Sequence, residues 1–203
     1  DYTLILRKED QFLANQFNRA IVDSEETVLR LLTSAYPQTS YVMTTEFMSD
    51  NMEDIGEDLP NYERHHEQLF YWRDVTEEYE ELPENIWEST YNAIAAANEA
   101  LAAIDKLNKN GEQSEVLKQA KGEALLCRAY GHFVLVNLFA MNYDPQTCET
   151  EPGITYLTEP EDTPNPQYER RSVGECYRLI ENDLLEALPL IGDQIYSVPK
   201  YHF

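Results

Sequence analysis

Four consecutive residues, Phe70-Tyr71-Trp72-Arg73, are the clearest candidates for chemistry in this sequence. Flat aromatic rings stack on the apolar faces of sugars or on peptide side chains, while arginine and tyrosine hydroxyls add polar specificity. The same rings could instead anchor the preceding loop to a helical core, and both readings stand. Tyr79, within the acidic run that follows, joins Tyr71, Trp72 and Arg73 as a candidate ligand-binding residue.

Other chemistries find less support. Asp and Glu number 38 against 15 Lys and Arg, so carboxylate pairs arise by chance, and a solvated acidic face accounts for them. A calcium loop starting at Asn51 places Gly56 correctly, yet puts Ile55 where a ligand is required and Tyr62 where the bidentate Glu belongs. An irregular calcium site around Asp50 and Asp54 is the residual possibility. His65 and His66 are adjacent, so on a helix they point to different sides and do not form an i, i+4 metal pair. No Gly-x-Ser-x-Gly, P-loop or dinucleotide fingerprint occurs. The expectation is therefore no catalytic residues, no metal and no cofactor.

A net charge of −23 repels nucleic acid and anionic headgroups, which argues against a DNA or RNA partner. Cys127, Cys148 and Cys176 lie far apart, and an odd count of three allows at most one bridge. Buried free thiols are expected, with Cys127 and Cys176 on apolar helix faces. The richest apolar stretch, Leu125 to Met141, is interrupted by Arg128, His132 and Asn137, and so falls short of the ~18 residues of a membrane span.

The elements that would position these residues are helices. Asp23 with Glu26 reads as a capping box before Val28, Leu31, Leu32, Ala35 and Tyr36, stopped by Pro37. Trp87, Tyr91, Ile94, Asn98 and Leu101 recur at steps of four and three on one face, and Asn110-Gly111 ends that helix. Ser114 caps the next, with one seam of Leu117, Ala120, Ala124, Cys127, Gly131, Val134 and Leu138. A second seam of Leu126, Tyr130, Phe133 and Val136 implies burial between neighbours. Ser172 with Glu175 opens a third long helix whose stripe is Val173, Tyr177, Ile180, Leu184, Ala187 or Leu188, and Ile191. Between these two helices, five prolines from Pro145 to Pro166 mark a long connection.

The order of motifs on these helices carries a resemblance. Trp87-Glu88-Ser89-Thr90-Tyr91-Asn92-Ala93-Ile94, leading to Ala97-Asn98, resembles the Trp-x-x-x-Tyr-x-x-Ile-x-x-Ala-Asn signature of the SusD/RagB family. Gly122-Glu123-Ala124 through Arg128-Ala129-Tyr130 is similar to that family's Gly-Glu-Ala-x-x-x-Arg-Ala-Tyr helix. Gly153-Ile154 sits where the family resumes after its variable loop. Arg171-Ser172-Val173 through Tyr177, Ile180, Asp183-Leu184 and Ala187 resembles its third helix. Asn98 fits as a polar residue that packing alone would not place on an apolar stripe. Ala140-Met141-Asn142-Tyr143 departs from the family's glycine-containing turn.

The resemblance implies an all-α fold of TPR-like helical hairpins with long irregular loops. It implies a single N-terminal SusD-like helical domain over 1–203, with an irregular lobe at about 37–83 and a long loop at about 142–171. The C-terminal part of the family fold is expected to be absent. It further implies an outer-membrane, cell-surface lipoprotein whose lipid anchor is not present in this chain. The expected partners are a SusC-like TonB-dependent transporter and an oligosaccharide or peptide ligand. In such proteins the helical repeats face the transporter and loops hold ligand, which favours Tyr71, Trp72 and Arg73 over the helix stripes. A soluble TPR-like adaptor for protein–protein contact and a glycan-cleaving enzyme using paired carboxylates are the competing functions.

Overall fold

The computed structural model describes residues 22–56, 63–76, 82–108, 114–161 and 167–192, and Ser24, rather than Asp23, opens the first helix among them. Helix α1 (Glu25–Leu32) is closed by a capping box in which the Thr27 amide donates to Ser24 Oγ at 3.3 Å. The Ser24 amide donates to Thr27 Oγ1 at 3.1 Å in return. The box is displaced one residue from the expected Asp23–Glu26 pair, because Glu26 turns outward to Arg30 at 2.6 Å. After Leu32 the chain tightens through i to i+3 bonds, among them the Ala35 amide to the Leu32 carbonyl at 3.0 Å. That tightening buries Ala35 beyond the helix end.

Among the described residues five further helices follow: α2 (Val42–Phe47), α3 (Arg64–Phe70), α4 (Pro83–Asn108), α5 (Glu115–Phe139) and α6 (Val173–Ala187), with a 3-10 turn at Leu188–Leu190. Pro83 stands first in α4, where its missing N–H leaves no bond unmade. Ser114 and Ser172 cap α5 and α6 as expected, each hydroxyl accepting from the amide three residues on at 3.1 Å. Glu175 does not complete a box; its carboxylate pairs with Arg171 at 3.3 Å. The chain is all-α, built as TPR-like hairpins with long irregular loops.

The residues divide into two compact units, Pro37–Tyr91 and the combination of Asp1–Tyr36 with Asn92–Phe203. In the larger unit, Val28, Leu32, Ala97, Ala100, Ile104, Leu117, Ala120, Ala124 and Cys127 form one core. The run of alanines lets backbones approach closely, so burial rather than large side chains closes this layer. Thus the first α5 seam is buried as expected, apart from half-buried Leu138. Much of the second is not: Tyr130 and Phe133 are about half exposed, and Leu125, Arg128, Ala129, His132 and Leu135 face inward instead. On α6 only Val173, Ile180 and Ala187 of the expected stripe are buried. Leu184, Leu188 and Ile191 are exposed, and Cys176 and Asp183 complete the inner face.

Two charged or polar α5 residues turn inward because the long connection and α6 supply partners. Arg128 binds Asp183 through both ends of its fork, Nε to Oδ2 at 2.8 Å and Nη2 to Oδ1 at 2.6 Å. Its Nη1 donates to Asn98 Oδ1 at 3.1 Å and to the Thr158 carbonyl at 3.2 Å. Asn98 Nδ2 donates to the Leu157 carbonyl at 3.1 Å, and the Tyr156 hydroxyl donates to Asp183 at 2.7 Å. The Leu157 amide donates to His132 Nε2 at 3.0 Å, so the His132 proton sits on Nδ1, which gives it to the Arg128 carbonyl at 2.9 Å. His132 is also stacked on Tyr156 at 3.7 Å. Four side chains from three helices thereby hold one extended segment, with the Arg128–Asp183, Arg128–Asn98 and Tyr156–Asp183 bonds buried and those to the Leu157 and Thr158 backbone half-buried.

Burial alone would lower the Arg128 pKa, but the hydrogen-bonded Asp183 carboxylate overcomes it and holds the guanidinium charged. Burial likewise keeps His132 neutral, pushing its pKa down to about 4. Upstream, the connection lies against the start of α6. The Gly153 amide donates to the Arg171 carbonyl at 2.7 Å, and the Gly174 amide to the Cys148 carbonyl at 2.8 Å. A Cβ on Gly153 would stand 2.8 Å from Cys176 Sγ, so only glycine fits there. All three cysteines are free and buried.

Candidate functional site

The smaller unit, Pro37–Tyr91, carries the aromatic run. Its helices α2 and α3 meet through Phe47, whose ring stacks on His66 at 4.2 Å and 16°. His65 and His66 do not turn fully apart as expected: their rings meet edge-on at 4.1 Å, with His65 buried. Ser89 at the start of α4 accepts from the amides of Gln38 and Thr39 at 2.9 and 3.1 Å, which fixes the chain entering the unit.

Helix α3 ends in a Schellman arrangement. The Arg73 amide bonds back to the Gln68 carbonyl at 2.8 Å and the Trp72 amide to the Leu69 carbonyl at 3.0 Å. That motif requires a left-handed residue, for which glycine is the usual occupant. Here the position is Trp72, at φ 53°. A bulky side chain in this region costs about 1–2 kcal/mol relative to glycine's freedom there. The turn projects the indole outward at 72% exposure, and among the described residues it makes no hydrogen bond or ring contact. An expensive backbone serving a bare aromatic face is an arrangement that stability alone does not favour.

The neighbours of Trp72 are held more firmly. The Tyr71 hydroxyl donates to Asp54 Oδ2 at 2.5 Å, and Phe70 meets the Tyr71 ring edge-on at 5.0 Å. Arg73 lies over the Tyr71 ring at 4.8 Å and beside Glu67 at 3.5 Å. Asp54 is itself set by an Asx turn, its Oδ1 accepting from the Gly56 amide at 2.8 Å, with Gly56 at φ 88°. The Tyr71 hydrogen bond, with help from the Gly56 amide, holds the Asp54 carboxyl below its ordinary pKa; the same bond raises the Tyr71 phenol. Both Asp54 oxygens have protein partners, and no group of three His, Cys, Asp or Glu is placed to hold a metal among the described residues.

Tyr71, Trp72 and Arg73 are therefore brought together at one exposed corner. Tyr79 lies outside the described residues. Sequence reasoning missed the Asp54–Tyr71 bond, although Asp54-x-Gly56 is a recognisable turn signal. It also missed a groove of about 580 Å³ on the larger unit, lined by Phe133, Tyr143, Tyr177, Arg178 and Leu184. There Phe133 and Tyr143 each meet Tyr177 edge-on, at 6.4 and 5.3 Å, and Arg178 is paired to Glu149 at 2.5 Å. Among the described residues, no helix is long and apolar enough to cross a membrane.

Solved structures with a similar fold include a SusD superfamily protein from Bacteroides thetaiotaomicron VPI-5482, at 20% identity and a TM-score of 0.62 over 86% of this chain. Another is the surface glycan-binding protein A from Bacteroides fluxus, at 22% identity and a TM-score of 0.53 over 81% of this chain. The chain spans 38% and 33% of the lengths of those two proteins. No curated protein matches the sequence. Residues 7–203 match the SusD-like family described as starch-binding and associating with the outer membrane, and the chain belongs to that family.

Proposed function

We propose that the chain is part of a non-catalytic cell-surface protein that captures a glycan through the Tyr71-Trp72-Arg73 corner. In the intact protein the ligand then passes to a SusC-like TonB-dependent transporter in the outer membrane, to which the protein is held by a lipid anchor. One observation carries the reading: the exposed indole of Trp72 on a left-handed backbone. An exposed ring offers a flat stacking surface, and with only two χ angles it loses little conformational entropy on binding. The family's description as starch-binding and outer-membrane associated supports the same reading, as does the name of the Bacteroides fluxus protein. Tyr79 is retained as a candidate contact on sequence grounds.

Affinity electrophoresis in gels containing polysaccharide tests the capture step directly. The chain should be retarded by at least one glycan that it leaves uncleaved, and Trp72→Ala should remove the retardation without unfolding the protein. Retardation by none, with peptides bound instead at the same indole, would replace the glycan with a peptide ligand. Release of reducing sugar, abolished by a single Asp or Glu change, would make the protein an enzyme. For the transporter step, the full-length protein should co-purify with a large outer-membrane β-barrel. Recovery in the cytoplasmic fraction would favour a soluble adaptor and sink the surface role.

A further inference from the structure

We infer that the groove walled by α5, α6 and Tyr143 is a second binding site, separate from the Tyr71-Trp72-Arg73 corner, and takes a lysine side chain of a peptide. The groove has a volume of about 580 Å³, within the ~300–1,000 Å³ typical of ligand pockets. Phe133, Tyr143 and Tyr177 line it, with Tyr177 edge-on to the other two at 79° and 84°. An edge-on pair leaves both faces of the edge-presenting ring uncovered by its partner, so the groove has π faces to offer. Phe133 and Tyr143 are about half exposed. Tyr177 is pinned: its hydroxyl donates to Asn137 Oδ1 at 3.2 Å, and Asn137 Nδ2 donates to the Phe133 carbonyl at 2.7 Å.

Charge decides the ligand class. Tyr177, Ile180, Glu181 and Leu184 fall at helical spacing on one face of α6, and all four line the groove. Arg178 lines it too, but the Glu149 carboxylate balances its guanidinium through contacts of 2.5 and 3.1 Å. Glu181 makes no hydrogen bond or ion pair among the described residues, which leaves it as the unbalanced charge of the lining. A carboxylate beside aromatic rings attracts an organic cation in two ways, by direct Coulomb force and through the ring quadrupole. Among such cations, lysine also matches the apolar wall. Its four-carbon stem can lie along Leu184 and Phe133 while the ammonium reaches Glu181. A sugar amine would bring hydroxyls against the same wall, where they lose water without gaining partners.

Capped five-residue peptides, neutral except at the centre, provide the test in NMR titrations against the full chain. The central residue is either lysine or norleucine, which keeps the stem and drops the charge; methyl glucosaminide serves as a singly charged sugar amine. The lysine peptide should bind at least tenfold more tightly than either. Glu181→Gln and Phe133→Leu should each weaken it at least fivefold. Glu88→Gln, which removes the same charge from an exposed position on α4, should leave it within twofold. So should Trp72→Asn, which separates this site from glycan capture, so that either can fail while the other stands. Equal binding of the norleucine peptide overturns the role of charge. A loss in Glu88→Gln as large as in Glu181→Gln overturns the site in favour of diffuse attraction. Tighter binding of the glucosaminide, lost in Glu181→Gln, overturns the peptide and puts an amino sugar in its place. No binding of any probe, to protein whose circular dichroism is helical, overturns the inference outright.

Discussion

The Asp183 carboxylate receives both ends of the Arg128 fork, at 2.6 and 2.8 Å, with each side chain about nine-tenths buried. Fifty-five residues separate the two in sequence, so this pair closes α5, the long connection and α6 into one unit. Removing one member leaves the other as an uncompensated buried charge. Asp183→Asn and Arg128→Met should each cost about 3–5 kcal/mol in urea unfolding. A loss under about 1 kcal/mol would mean that the pair is reached by water. The double change Arg128→Met with Asp183→Leu should recover part of that loss, limited by the Asn98 and Tyr156 groups it leaves unpartnered.

His132 gives stability a defined pH dependence. Its pKa falls from 6.5 to about 4 on folding because burial penalises the imidazolium. Between those values the unfolded chain binds the extra proton, so stability rises with pH through this window and is lost as pH falls through it. The contribution amounts to about 3 kcal/mol, fully present above pH ~6.5 and gone below pH ~4. Comparing wild type with His132→Gln from pH 7 to pH 5 should show a steeper decline in the wild type. Parallel curves would refute the assignment.

Trp72 should behave oppositely for stability and for binding. Trp72→Gly removes a strained left-handed residue whose side chain is 72% exposed, so thermal stability should rise by about 1 kcal/mol. Ligand retention should fall together with it. A drop in melting temperature would place the indole in the core, against its 72% exposure.

The three thiols should be silent in the native protein. Cys127, Cys148 and Cys176 are all buried, and burial pushes the Cys127 thiol up to about 12. A chromogenic disulfide reagent should detect none of them in native buffer and all three in denaturant. Fast native labelling of Cys148 would show that the connection opens.

The long helices were legible because several local signals agree in them. Ser114 and Ser172 are strong caps, the apolar spacing persists over many turns, and the motif order on α4, α5 and α6 identifies the family. Helices α2 and α3 escaped because they have six and seven residues and lack side-chain caps. In α1 two overlapping boxes compete, and the Ser24–Thr27 pair wins by one residue. The second seam of α5 was misplaced for a different reason. Hydropathy puts Arg128 and His132 outside and Tyr130 and Phe133 inside, whereas the partners that reverse this are on Asp183 and the Leu157 backbone. The aromatic corner was visible as composition, but not its geometry. A Schellman position predicts glycine, so nothing local announces a left-handed tryptophan.

The anchoring of the α5–α6 connection also determines where this protein can grow. From Cys148 to Thr158 the backbone is bonded to α6, His132, Asn98 or Arg128, and an insertion there would pull at least one of these groups out of register. Beyond Glu159, whose carbonyl still accepts from Asn98 at 3.5 Å, Glu161 is exposed, as are Gln167, Tyr168 and Glu169 before Arg170 and Arg171 bond back to Gly153. Residues added beside Glu161 or among Gln167, Tyr168 and Glu169 leave those anchoring bonds untouched. The connection thus behaves as a fixed staple followed by an open insertion port, and new surface chemistry can be grafted there without renegotiating the core.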